Sequence, residues 1–202
     1  MPTLDIIFSI VILIFSVVLH EISHGYAALA LGDPTAKISG RLTLNPLSHL
    51  DPFGSVLVPI ITSFLGFTFG WAKPVPYNPY NLRHGKWGPA LVGVAGPGAN
   101  LILALVFGLS IRLELVSLAT PLGGIFFLIT LVNIVLAVFN MVPLPPLDGS
   151  KVLFALLPYK WRFVEEFLTR SQFIIIIAIL FFGAPFISFF VRLLAALIIG
   201  PM

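Results

Sequence analysis

The chain has 202 residues, 58% hydrophobic and 9% charged, with a mean hydropathy of +1.08. That composition excludes an ordinary water-soluble domain, since one small core cannot hide so many apolar runs, whereas a bilayer accepts one helix for about every 20 apolar residues. The net charge of +3 is scattered between apolar segments rather than gathered in a basic run, so it points to orientation in lipid and away from a nucleic-acid partner.

The first apolar segment covers 4–31. Its leading residues, Met1-Pro2-Thr3-Leu4-Asp5, lack the positive region of a signal peptide, so a retained first helix is expected. The helix contains His20-Glu21-Ile22-Ser23-His24. Residues four apart share a helix face, so both imidazoles can hold one metal while Glu21 stands beside them as a base for its water. Ionisable groups at membrane depth are costly, which makes this cluster a functional site rather than a chance pattern. Cysteine is absent, so any metal must be held by His and carboxylates, and two His with a third protein ligand suit a catalytic Zn²⁺. Asp5, Ser9, Ser16 and Ser23 form a polar stripe near the His20 direction, which reads chiefly as serine bonding to its own helix backbone.

Residues 36–39 and 41–44 alternate polar and apolar side chains around Gly40, which predicts a small interfacial strand pair. The apolar segment 55–70, at 1.5 Å per residue, is about 24 Å long and falls short of a core of about 30 Å, so a re-entrant path is expected. In Lys73-Pro74-Val75-Pro76-Tyr77-Asn78-Pro79 the alternate prolines forbid a helix and predict an extended segment lining a cavity.

Further apolar segments follow at 89–112, 122–142 and 172–199. The last is broken at Gly183-Ala184-Pro185 and reads either as one kinked span or as a span followed by an interfacial helix. If 55–70 is re-entrant, Lys37, Arg41, Lys73, Arg83, Lys86, Lys151, Lys160, Arg162 and Arg170 share one face, with Arg112 opposite. Positive loops stay in the cytosol, which places the N-terminus outside. The expected fold is an all-α polytopic bundle of about four to six membrane segments in a single domain, 1–202, with core motifs in 4–149 and an accessory segment at 172–199.

The prolines of Asn140-Met141-Val142-Pro143-Leu144-Pro145-Pro146-Leu147-Asp148-Gly149 end a helix and can turn Asp148 back toward the bundle as a third ligand. His49, Asp51 and His84 compete for that role.

HEISHGYAA at 20–28, GWAKPVPYNP at 70–79, GVAGPGAN at 93–100 and NMVPLPPLDG at 140–149 together resemble the site-2 proteases of the short prokaryotic type. The resemblance implies an intramembrane metalloprotease with one Zn²⁺ per chain held by His20, His24 and Asp148. It implies that Glu21 is catalytic, that Asn100 and Asn140 position substrate or stabilise the oxyanion, and that the site is reached from the cytosolic side of a prokaryotic cell membrane. The substrate would be a transmembrane protein segment, and Asn133 reads as structural. No segment is long enough for a PDZ or nucleotide-sensing module. The alternative is a membrane metal-binding or transport protein using the same ligands.

Overall fold

The computed structural model describes residues 2–58, 61, 64 and 72–200. Helix α1 (Pro2–Ala30) is followed by one helical turn, α2 (Thr35–Ile38), and then by α3 (Trp87–Arg112) and α4 (Pro121–Asn140). The chain continues through α5 (Gly149–Leu156), α6 (Arg162–Arg170), α7 (Gln172–Phe182) and α8 (Ala184–Ile199). Three stretches, Ile7–Ala30, Trp87–Arg112 and Pro121–Asn140, are long and apolar enough to cross a membrane. Helices α7 and α8 form a fourth candidate as a pair bent by 66°. Pro185, at the start of α8, needs no N–H there, which lets the second helix begin directly after the bend.

The helices alternate in direction. Arg83 N–H donates to the Leu31 carbonyl at 2.8 Å, so the chain leaves α1 and enters α3 at the same face. The expectation of a re-entrant 55–70 falls mostly on residues outside those described. At the opposite face the Arg112 guanidinium donates to the Leu197 carbonyl in the last turn of α8, where a cation complements the helix dipole.

The bundle is held by an apolar cluster of Ala104 and Ile111 on α3, Ile134 on α4, and Val191, Ala195, Ile198 and Ile199 on α8. Gly108 makes this approach possible, because a Cβ there would run into Ile198 and stand 2.9 Å from Thr130 Cγ2. Many large apolar side chains on the remaining faces are exposed, as lipid contact requires.

The expected strand pair is absent: no strand occurs among the described residues. The polar and apolar alternation at 36–44 is instead divided by a capped turn. Asp33 Oδ1 accepts from the Thr35 N–H at 3.3 Å and its hydroxyl at 2.6 Å, starting α2. Gly40, at φ +65°, closes α2 with N–H bonds from Gly40 to Lys37 and from Arg41 to Ala36. Residues 41–44 are left without a ladder partner, and Arg41 Nη2 donates to the Lys73 carbonyl at 2.7 Å instead. Residues 72–78 have no regular structure and pass over α1 at Gly25, where an added Cβ would stand 2.9 Å from Val75 Cγ1.

Asp33 is fully buried and ties the two ends of this connection. Its Oδ2 accepts from the Asn78 N–H at 2.7 Å and its Oδ1 from the Asn81 amide at 2.9 Å. Burial pushes its carboxyl up, but bonds from Thr35, Asn81 and Asn78 outweigh burial and hold it below the ordinary carboxylate value. A depressed folded value means that the stabilisation is complete above about pH 4 and fades as pH falls through the folded pKa. Asp33→Ala should lower stability by about 2 kcal/mol, because the amides it serves lose their acceptor. Thermal unfolding in detergent at pH 7 checks this, and the gap between wild type and variant should narrow at low pH.

Candidate metal centre

His20 and His24 are buried one turn apart in the C-terminal half of α1. Asp148, also buried, is delivered by the turn between α4 and α5. His20 Nε2 lies 3.0 Å from His24 Nε2, and each stands 3.1 Å from Asp148 Oδ2. The group is the only set of three potential metal ligands found among the described residues. The structure thus brings together the two His of the HExxH pattern and Asp148. His49, Asp51 and His84 have other surroundings: His49 is buried and donates to the Thr43 carbonyl, Asp51 accepts from the Phe53 N–H, and His84 is exposed at φ +70°.

The protonation of the two rings follows from their outer partners. His24 Nδ1 lies 2.7 Å from the Val92 carbonyl, which can only accept, so Nδ1 carries the proton and Nε2 presents a lone pair. His20 Nδ1 lies 2.6 Å from Asn100 Oδ1. The Asn100 amide is oriented by its Nδ2, which donates to the Ser16 carbonyl at 3.3 Å and to Asn133 Oδ1 at 2.8 Å. Asn133 is oriented in turn by its donation to the Ile129 carbonyl at 2.9 Å, with a second bond to Ser16 Oγ. Asn100 Oδ1 therefore faces His20, and His20 Nε2 also presents a lone pair. With both rings neutral, two imidazole lone pairs and a carboxylate oxygen converge. Three acceptors about 3 Å apart repel one another unless a cation lies between them. Donors bound to a tetrahedral zinc at about 2.0–2.2 Å stand about 3.4 Å apart, close to the spacing seen here. The residues fit such an ion.

Asp148 has a second partner, which sequence reasoning missed. Lys151 Nζ donates to Asp148 Oδ1 at 2.8 Å from one turn along α5 and lies 5.5 Å from the centre of the Tyr77 ring. Burial opposes the charge of the Asp148 carboxylate, and the Lys151 ammonium bonded to its other oxygen favours it. For Lys151, burial opposes its charge as well, and Asp148 more than compensates and raises it. The available signal was the spacing of three residues between an acid and a lysine at a helix start.

Glu21 is half-buried beside the His pair and accepts from the Val75 N–H at 2.9 Å through Oε2. Prolines at 74 and 76 leave Val75 as the donor in that stretch of the segment. Asn100 is fully buried behind the His20 ring, where it orients that ring. Asn140, at the end of α4, is half-buried and donates to the Leu136 carbonyl at 3.0 Å. On α3, Gly96 forms the wall of the centre: a Cβ there would lie 2.5 Å from His24 Nε2 and 2.7 Å from His20 Cε1.

The model of peptidase family M50 matches residues 114–183. YwhC of Bacillus subtilis is 42% identical over 156 residues, covering 74% of this chain and 68% of its own length. Rip2 of Mycolicibacterium smegmatis is 34% identical over 141 residues, covering 69% of this chain and 53% of its own. Both are named as zinc metalloproteases provisionally. A Methanocaldococcus jannaschii protein named outright as a zinc metalloprotease is 27% identical over 156 residues, 77% of this chain and 36% of that one. The chain spans about half the length of Rip2 and about a third of the archaeal protein. No solved structure gives a significant match.

Gly96→Ala should lower bound metal per chain by about tenfold or more, because the methyl group displaces both ligand rings. Gly98→Ala, where an added Cβ meets nothing within 4 Å, should leave it unchanged. Elemental analysis of the two purified variants checks the pair.

Proposed function

This chain belongs to peptidase family M50, the site-2 proteases, and from that membership we propose that it hydrolyses peptide bonds in or beside the transmembrane segments of membrane proteins. The observation that carries the reading is the convergence of His20 Nε2, His24 Nε2 and Asp148 Oδ2 next to Glu21 on a helix apolar enough to span a bilayer. One Zn²⁺ per chain, held by these three, would supply Lewis acidity toward a substrate carbonyl and toward a water.

The chain's own groups then divide the work. Glu21 takes the proton from the attacking water and passes it to the leaving amine, as a carboxylate beside two metal-binding imidazoles is placed to do. The Val75 N–H holds Glu21 Oε2, which leaves Oε1 for that proton. Asn100 keeps His20 in its ligating tautomer through Nδ1, so its contribution to substrate is indirect. Asn140, the last residue of α4 before the segment that brings Asp148, receives the substrate backbone or the developing oxyanion. Substrate chain must be locally unwound to reach the centre, since a helical carbonyl is already committed to its own ladder.

The bundle acts as one membrane-embedded domain, with the face carrying Lys37, Arg83 and Lys160 in the cytosol. The density of basic side chains there, against Arg112 opposite, supports this orientation. The chain has no cysteine, so single cysteines at Lys37, Lys160 and Glu114 are clean probes. A membrane-impermeant thiol reagent on intact cells should label position 114 and spare the other two. Labelling at 37 or 160 would reverse the orientation.

Glu21→Gln should keep about one zinc per chain and its affinity for a model transmembrane substrate, while cleavage falls by a factor of about 10² to 10⁴. Near-normal cleavage in this variant would remove Glu21 as the base. Wild-type protein that cleaves nothing and moves Zn²⁺ across liposomes would replace proteolysis with transport.

A further inference from the structure

The connection from α5 to α6 builds a feature that the metal centre does not use. α6 is amphipathic, with Phe163, Val164, Phe167 and Leu168 on one side and Arg162, Glu165, Glu166 and Thr169 on the other. Phe163 and Phe167 are 67% and 66% exposed, and Tyr159 and Trp161 in the preceding turn are exposed as well. A short helix of this pattern, flanked by Tyr and Trp at the face where α3 begins and α4 ends, belongs in the headgroup layer.

Between this helix, the end of α5 and the residue before α3 lies a pocket of about 210 Å³. Its lining joins two cations, Lys86 and Arg162, to the apolar side chains Phe154 and Leu157 and to the amphipathic rings of Tyr159 and Trp161. Lys86 Nζ stands 5.8 Å from the centres of both the Trp87 and Tyr159 rings. Neither Lys86 nor Arg162 forms an ion pair among the described residues, although Glu165, also in the lining, follows Arg162 by one turn. Two positive groups and one negative group leave a single positive charge, the complement of a phosphodiester rather than of a dianionic phosphate. The apolar lining suits the glycerol and first acyl carbons that such a group carries in a membrane.

We propose that this pocket binds the phosphodiester headgroup of an anionic phospholipid, with Lys86 and Arg162 donating to the phosphate oxygens and Glu165 setting the charge of the ligand. This depends on embedding in a membrane and not on peptide hydrolysis. Native mass spectrometry of the full chain in neutral detergent, titrated with phosphatidylglycerol and with phosphatidylcholine, reads the binding directly. Phosphatidylglycerol should be retained at least about tenfold better. Lys86→Ala and Arg162→Ala should each weaken it about fivefold, and the double variant about 25-fold, with metal content unchanged as a marker of fold. Lys37→Ala with Arg170→Ala removes the same charge outside the pocket and should change binding less than about twofold. Glu165→Gln should shift preference toward the more highly charged phosphatidic acid. Equal losses in the two double variants would reduce the effect to diffuse surface charge and overturn the proposal. So would equal retention of the two lipids, or displacement of phosphatidylglycerol by millimolar inorganic phosphate, which would make the free anion the ligand.

Discussion

Three donor atoms that converge on one point set the terms for the rest of this molecule. His20 Nε2, His24 Nε2 and Asp148 Oδ2 stand within 3.1 Å of one another in a buried site. With neutral rings and no cation that arrangement is repulsive, and it persists because each group is held from behind. The Val92 carbonyl holds one ring, Asn100 the other, and Lys151 the far oxygen of the carboxylate. These restraints come from α3 and α5, so the centre is a property of the assembled bundle rather than of the helix that carries the histidines.

The bundle's packing follows from the same requirement. α3 can supply the Val92 carbonyl and the Asn100 amide only if it lies almost in contact with α1, and Gly96 is the residue that permits this. A further polar chain, from Asn133 through Ser16 to Asn100, runs across three helices at one depth. Inside lipid, each of these groups would be costly alone. Joined in one network they fix the register of α1, α3 and α4 and so the direction of the His20 ring.

Much of the centre was legible because helical spacing is a local rule: the four-residue interval between His20 and His24 puts both rings on one face whatever surrounds them. Asp148 was legible through its prolines and through the family resemblance. What stayed hidden depended on contacts distant in sequence. The family resemblance implies a substrate role for Asn100, and its amide oxygen also meets the His20 ring 80 residues away, a contact that no spacing encodes. Ser16 sits in a stripe that reads as serine bonding to its own helix, and Ser23 does bond to the Leu19 carbonyl, but Ser16 joins the asparagine network. The alternation at 36–44 fits a strand equally well as a turn capped by Asp33 and ended at Gly40, and only the competing hydrogen bonds choose between them.

His20 and Asp148, which share the centre, are 128 residues apart along the chain. An ion joining them would be a clasp that closes a very long loop, and such closures gain from the large conformational freedom that they remove from the open chain. It also imposes an order in time. A growing chain that has inserted α1, α3 and α4 but not yet delivered the Asp148 turn holds two imidazoles without their carboxylate, so the three groups converge only once the turn between α4 and α5 is in place.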